Sequence, residues 1–147
     1  MPARRLAPFF SLIMMTSAMT LAMTAAAPAH AQKIRLTVDG QVIAATLADN
    51  PTTRGLVARL PLTLTLSDYA GTEKIVYLDR KLSGAGAPDG ATPTAGTIAY
   101  YAPWGNLAFY YKDFAYSRGL IVLGRIDTGL ATLKRAGELK VRIELAD

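Results

Sequence analysis

The sequence predicts a mainly β fold, a small closed antiparallel β-barrel of about eight strands with one or two short helices. Three observations predict it. From residue 32 onward, apolar residues mostly alternate with polar ones in short runs instead of recurring at helical spacing. Turn-forming pairs such as Asp39-Gly40 and Ala70-Gly71 interrupt those runs. Cysteine is absent, so an apolar core must hold the domain without disulfides.

The domain is expected to begin after a secretory signal. Arg4 and Arg5 precede an apolar run from Phe9 to Ala27, and Ala29-His30-Ala31 supplies the small-x-small cleavage pattern. Cleavage after Ala31 removes residues 1–31 and leaves one domain, 32–147, of 116 residues. The expected location is therefore periplasmic or secreted. The run's Ser and Thr residues and its alanine-rich end make it a poor permanent span, so no stable membrane anchor is expected after cleavage. The paired arginines also fit a twin-arginine export signal. All five methionines and the single histidine lie within the removed segment, and the net charge falls from +5 to +3. With no basic cluster beyond Lys134-Arg135, nucleic acid is not an expected partner.

Ile34, Leu36 and Val38 alternate with polar residues as a half-buried strand. Asp39-Gly40 suits a type I′ turn, and Ile43, Ala45 and Leu47 return as the hairpin partner. Asn50-Pro51 marks a helix start, with Asn as cap and Pro preset for the first turn. That helix is expected over 51–60, burying Leu56, Val57 and Leu60 and ending at Pro61. Leu62, Leu64 and Leu66 alternate with threonines as the next strand, and 74–78 follows as another. The Gly/Ala/Pro-rich segment 83–96 reads as a long loop. Strands are expected at 97–101, 107–112 and 120–126, then a helix over 128–135 capped by Asp127. Leu139, Val141, Ile143 and Leu145 form the last strand.

Composition narrows the chemistry. Without His or Cys after residue 31, Ser-His-Asp and Cys-His catalysis and N/S-ligated metal sites are excluded from the domain. The acids Asp68, Glu73, Asp79, Asp113 and Glu138 are scattered with no pairing pattern, and no dense acidic loop suits calcium. No catalytic residue, metal site or cofactor is assigned, and the sequence carries no signal for an oligomeric state.

The positive features are aromatic. Eight of the domain's ten aromatic residues lie between Tyr100 and Tyr116, around Trp104, the chain's only tryptophan. Strand alternation divides them: Leu107, Phe109 and Tyr111 are expected on one face, Ala108, Tyr110 and Lys112 on the other. Two positions are open to Trp104. It folds back to cap the barrel end as part of the core, which is the first expectation, or it lines a pocket with Asn106 and a tyrosine. Arg118, between Ser117 and Gly119, is either a planar donor for a carboxylate or carbonyl or a loop arginine paired with Asp113 or Asp68. Tyr69 and Glu73 lie in a polar connection expected near the same barrel end.

The segments PLTLTLSDYAGTEKIVYL (61–78) and YYAPWGNLAFYYKDFAYSRGLIVLGRID (100–127) resemble those of bacterial cyclophilin-like domain proteins. The resemblance spans the domain and implies a cyclophilin-type barrel of about eight strands closed by helices. It does not imply prolyl isomerase activity. Isomerising cyclophilins use an arginine surrounded by Phe, Gln, Met, Trp and His, whereas this domain lacks His and Met and has no Phe-His-Arg motif. The expected function is a non-catalytic, exported module that binds a peptide or small molecule. Its candidate site residues are Tyr69, Glu73, Trp104, Asn106, Tyr110, Tyr116 and Arg118. The alternative is a divergent peptidyl-prolyl cis-trans isomerase or foldase of the cell envelope, with Arg118 stabilising a twisted amide. A third reading is an interaction protein whose exposed tyrosines meet a partner.

Overall fold

Strands β1 (Gln32–Val38) and β2 (Gln41–Leu47) form the opening hairpin in a computed structural model that describes residues 30–147. Residues 1–29 of the expected signal (1–31) lie outside the described residues. Asp39 and Gly40 both take positive φ (48° and 77°), as a type I′ connection requires. The predicted alternation sends Ile34, Leu36 and Val38 from β1, and Ile43, Ala45 and Leu47 from β2, into the core.

Helix α1 (Pro51–Val57) begins as expected: the Asn50 side chain accepts the Thr53 N–H at 2.8 Å, with proline first in the helix. It is shorter than 51–60. Leu56 is buried, while Val57 and Leu60 are only partly so. Thr52 and Thr53 are buried instead, because their hydroxyls donate to the Ser83 and Leu123 carbonyls.

β3 (Leu62–Tyr69), β4 (Glu73–Tyr77), β6 (Thr97–Tyr101), β7 (Asn106–Tyr110), β9 (Leu120–Thr128) and β10 (Leu139–Leu145) complete a closed eight-stranded antiparallel barrel with the opening hairpin. Around the barrel the order is β1-β10-β3-β4-β7-β6-β9-β2. Two short strands, β5 (Gly90–Ala91) and β8 (Ser117–Arg118), pair separately. The long loop therefore carries a strand after all, held by a segment beyond the aromatic region. Helix α2 (Leu130–Leu133) is a single turn whose N-cap is Gly129, not Asp127. Asp127 remains in β9, where its carboxylate accepts the Thr46 hydroxyl at 2.7 Å. Among the described residues no helix is long and apolar enough to cross a membrane.

Two apolar layers result. Leu107 and Phe109 point into the barrel with Tyr100, Leu36 and Ile143. Their strand neighbours Ala108 and Tyr110 point outward, yet both are buried, in a second cluster with Ile75, Ala99 and Leu120. The outer face of β4-β7-β6-β9 is thus a covered wall, and the candidate site is built on it.

Candidate functional site

Antiparallel register fixes which side chains share that outer wall. Tyr69 pairs with Glu73, Glu73 with Tyr110, and Tyr101 with Asn106, and cross-strand partners project to the same side. The β6–β7 turn then carries Trp104 over the wall. Its indole meets the Tyr69 and Tyr101 rings edge-on, with centroids 5.5 and 5.3 Å away and planes at 86° and 76°. Trp104 is 46% exposed, so it does not cap the barrel end as core. The physical reason is the turn: Gly105 takes φ 72°, and its N–H and that of Trp104 both bond to the Tyr101 carbonyl, closing the turn tightly beside the strands.

These three rings, with Phe114 and Ser117, enclose a cleft of about 160 Å³. Glu73, Asn106 and Tyr110 complete its lining. Five of the seven residues predicted as a site therefore come together: Tyr69, Glu73, Trp104, Asn106 and Tyr110. Tyr116 and Arg118 do not line the cleft. Both are exposed, and the β5–β8 pairing holds Arg118 by its backbone, opposite Gly90. Arg118 makes no ion pair among the described residues. Asp68 is taken by Lys74 at 2.9 Å, and Asp113 accepts the Ala95 N–H at 2.9 Å. Register puts the β3–β4 and β6–β7 turns at opposite ends of the β4–β7 pair, so these loops do not meet at one barrel end; the Trp104 side chain spans the wall between them.

The polar groups of the cleft are unusual in what they lack. Glu73 is buried and forms no salt bridge among the described residues. Burial raises its carboxyl above the ordinary 4.5, although hydroxyls of Thr72 and Tyr110 oppose the shift. Tyr110 is raised in turn, by burial first and by the Glu73 charge second. Asn106 is 2% exposed; its Nδ2 donates to the Leu107 carbonyl at 3.1 Å while Oδ1 accepts nothing. Reversing the amide would set two acceptors against each other, so its orientation is fixed. A buried carboxyl without a cation and a buried amide oxygen without a donor are both costly. Proteins retain such groups where they act.

Tyr101 and Phe114 were not among the predicted site residues. Register with Asn106 would have found Tyr101, since both strands were predicted, but only the fold brings Phe114 across. Two larger depressions lie elsewhere. One, of about 230 Å³, is lined mainly by apolar residues between the α1 start and loop 85–91; the other, of about 320 Å³, lies between Arg59 and Asp79. Neither holds a buried unpaired polar atom. Among the described residues no three His, Cys, Asp or Glu side chains converge to hold a metal.

The cost of Glu73 gives a stability prediction. A carboxyl whose folded value is raised contributes its stability fully below 4.5 and loses it as pH rises through the folded value. Glu73→Gln is therefore expected to raise stability at pH 7 by roughly 1 kcal/mol and to leave it nearly unchanged at pH 4. Thermal melts at both pH values check this; equal effects at both would contradict it.

Residues 36–144 match the model of the Cyclophilin-like family. The chain belongs to the cyclophilin-like family. Among solved structures, this cyclophilin-like chain is similar to the solution structure of a hypothetical protein from Archaeoglobus fulgidus. The two share 16% identity with a TM-score of 0.58, over 80% of this chain and 97% of that one. That likeness is one of fold. No curated protein matches the sequence.

Proposed function

We propose that this cyclophilin-like chain is an exported, non-catalytic module that binds a peptide or small molecule in the aromatic cleft, in the periplasm or outside the cell. The observation that supports it is a cleft that holds the buried Glu73 carboxyl without a cation, beneath a Trp104 indole that two tyrosine rings meet edge-on. A buried carboxyl that accepts hydroxyls but has no counter-charge within the fold gains most when a ligand supplies one. The isomerase alternative asks for a cation beside the twisted amide, and none of the residues lining the cleft is Lys or Arg. Export is supported by the charged start, apolar run and cleavage pattern of residues 1–31.

Trp104 is the only tryptophan, so its fluorescence reports on this cleft alone. Titration with small amines, amides and proline-containing peptides is expected to give a saturable change with at least one class, lost in Asn106→Ala. A signal indifferent to every class would remove the proposal. Proline-isomerisation turnover by the purified protein would replace it with the enzymatic reading.

A further inference from the structure

We infer that the cleft takes a primary ammonium group, whether of a free alkylamine or of a lysine side chain. Its N–H donors pair with the Glu73 carboxylate, and its carbon stem lies against the Trp104 and tyrosine rings. This rests on the binding-module reading and names its ligand class.

The inventory of polar atoms decides the sign of the ligand. Among the lining residues Glu73 is the one that carries a formal charge, and its carboxylate oxygens accept; the tyrosine and Ser117 hydroxyls and the Trp104 N–H are neutral, and Asn106 is sealed, with its Nδ2 given to the Leu107 carbonyl. No lysine or arginine lines the cleft; Lys74, next to Glu73 in β4, points to the opposite side, where Asp68 and two carbonyls hold it. An anion would meet an uncompensated carboxylate. A neutral carbonyl could take a hydroxyl donor but would leave that carboxylate without a counter-charge. A group with several N–H donors and a positive charge supplies it.

The rings agree with that choice. Each edge-on pair covers only one face of one ring, so most faces of the Trp104, Tyr69 and Tyr101 group stay free of one another, and aromatic faces attract cations, indole most strongly. The volume of about 160 Å³ suits a small head group; pockets for drug-sized ligands are larger, about 300–1,000 Å³.

Ionisation supplies a second signature. The titratable groups facing Glu73 are Tyr69 from β3, Tyr110 from β7 and, just beyond that strand, Tyr111, with Tyr101 of β6 beside Tyr110. None is a cation, so the ammonium itself provides the counter-charge. Its affinity should rise with pH as Glu73 ionises, and fall again only where the amine loses its proton, around pH 10.

Trp104 fluorescence of the full chain is titrated at pH 8 with n-butylammonium, tetramethylammonium, a blocked lysine amide, the same amide acetylated on Nε, and a blocked proline amide. Saturable binding of n-butylammonium, weaker binding of tetramethylammonium (which has no N–H) and loss on acetylation are expected. Glu73→Gln should weaken n-butylammonium by about ten- to a hundredfold, and the wild type should lose affinity as pH falls towards 4. A lysine amide tighter than n-butylammonium assigns the source to peptides; the reverse assigns it to free amines. Equal binding of tetramethylammonium, or an unaffected Glu73→Gln, would overturn the inference. So would binding of the proline amide alone, but that result leaves the binding module standing. No response to any probe would overturn both. Because the pH series uses the unaltered chain, the test survives a variant that folds poorly.

Discussion

Lys74→Met is expected to lower Tm by about 10–15 °C, a large loss for a single change of similar volume. Lys74 is fully buried, with no measurable exposure, an unusual position for lysine. Its register partners Asp68 and Phe109 place it on the inner face of β4, and Phe109 is part of the barrel core. The ammonium donates to the Arg135 and Gly137 carbonyls, each at 2.6 Å, and pairs with Asp68 at 2.9 Å. It thus fastens the segment between α2 and β10 across the barrel mouth. Asp68 also accepts the Tyr111 hydroxyl at 2.9 Å and the Gly137 N–H at 3.0 Å. Methionine preserves the stem's packing but leaves two carbonyls without their donor and the carboxylate without its cation. The expected loss is about 3 kcal/mol, held below the full cost of a broken buried pair because Asp68 is partly exposed.

The same network sets the acid limb of stability. Lys74, through its hydrogen bond, is the main cause holding Asp68 below the ordinary 3.8; desolvation works against it. A lowered carboxyl contributes stability above 3.8 that is lost as pH falls through the folded value. Lys74→Met should flatten that limb. Thermal melts from pH 2 to 7 check both statements, and a variant within about 1 kcal/mol of wild type throughout would show that the mouth is not fastened by Lys74.

Strand alternation made most of the barrel legible, because a half-buried strand writes its buried face into every second residue. The β1–β2 hairpin, the α1 start and the last strand's buried positions follow from local chemistry alone. Lys74 could not be read this way. In Glu73–Tyr77 both alternating sets mix polar and apolar residues, and the carbonyls that satisfy the ammonium lie some sixty residues further along the chain. The second apolar layer was invisible for a related reason: it exists because loops cover the outer wall, and loops carry no periodicity. Trp104 and Arg118 show both outcomes within one motif. The turn around Gly105 and the strand pairs beside it were visible, and they bring Trp104 to Asn106 and Glu73. Arg118 has the chemistry of a binding residue, but its backbone belongs to a two-residue strand whose partner, Gly90, stands in the long loop.

Gly124→Ala is expected to cost the barrel about 4 kcal/mol or more of its stability. Gly124 lies in β9, opposite Ile98 of β6 and Leu47 of β2. Beside it the register shifts: Ile98 faces Gly124 while Ala99 faces Val122, so β9 spends an extra residue, Leu123, at a bulge. The Leu123 carbonyl turns to the Ala48 N–H at 2.8 Å, which draws β2 close. A Cβ on Gly124 would collide with the Thr46 carbonyl oxygen and lie 2.8 Å from the Leu47 Cα. Both are backbone atoms of the neighbouring strand, so no side-chain rotation relieves the contact. The β2–β9 seam must open, and with it the only closure between the opening hairpin and the rest of the wall on that side. Gly137→Ala is the control. Gly137 has φ 86° and open space around its Cβ position, so alanine there costs only the backbone term, about 1–2 kcal/mol. Chemical denaturation of the two variants should separate them by a factor of two or more in lost stability. Equal losses would mean that the bulge has room to relax, and that backbone crowding at Gly124 does not set the register of β9.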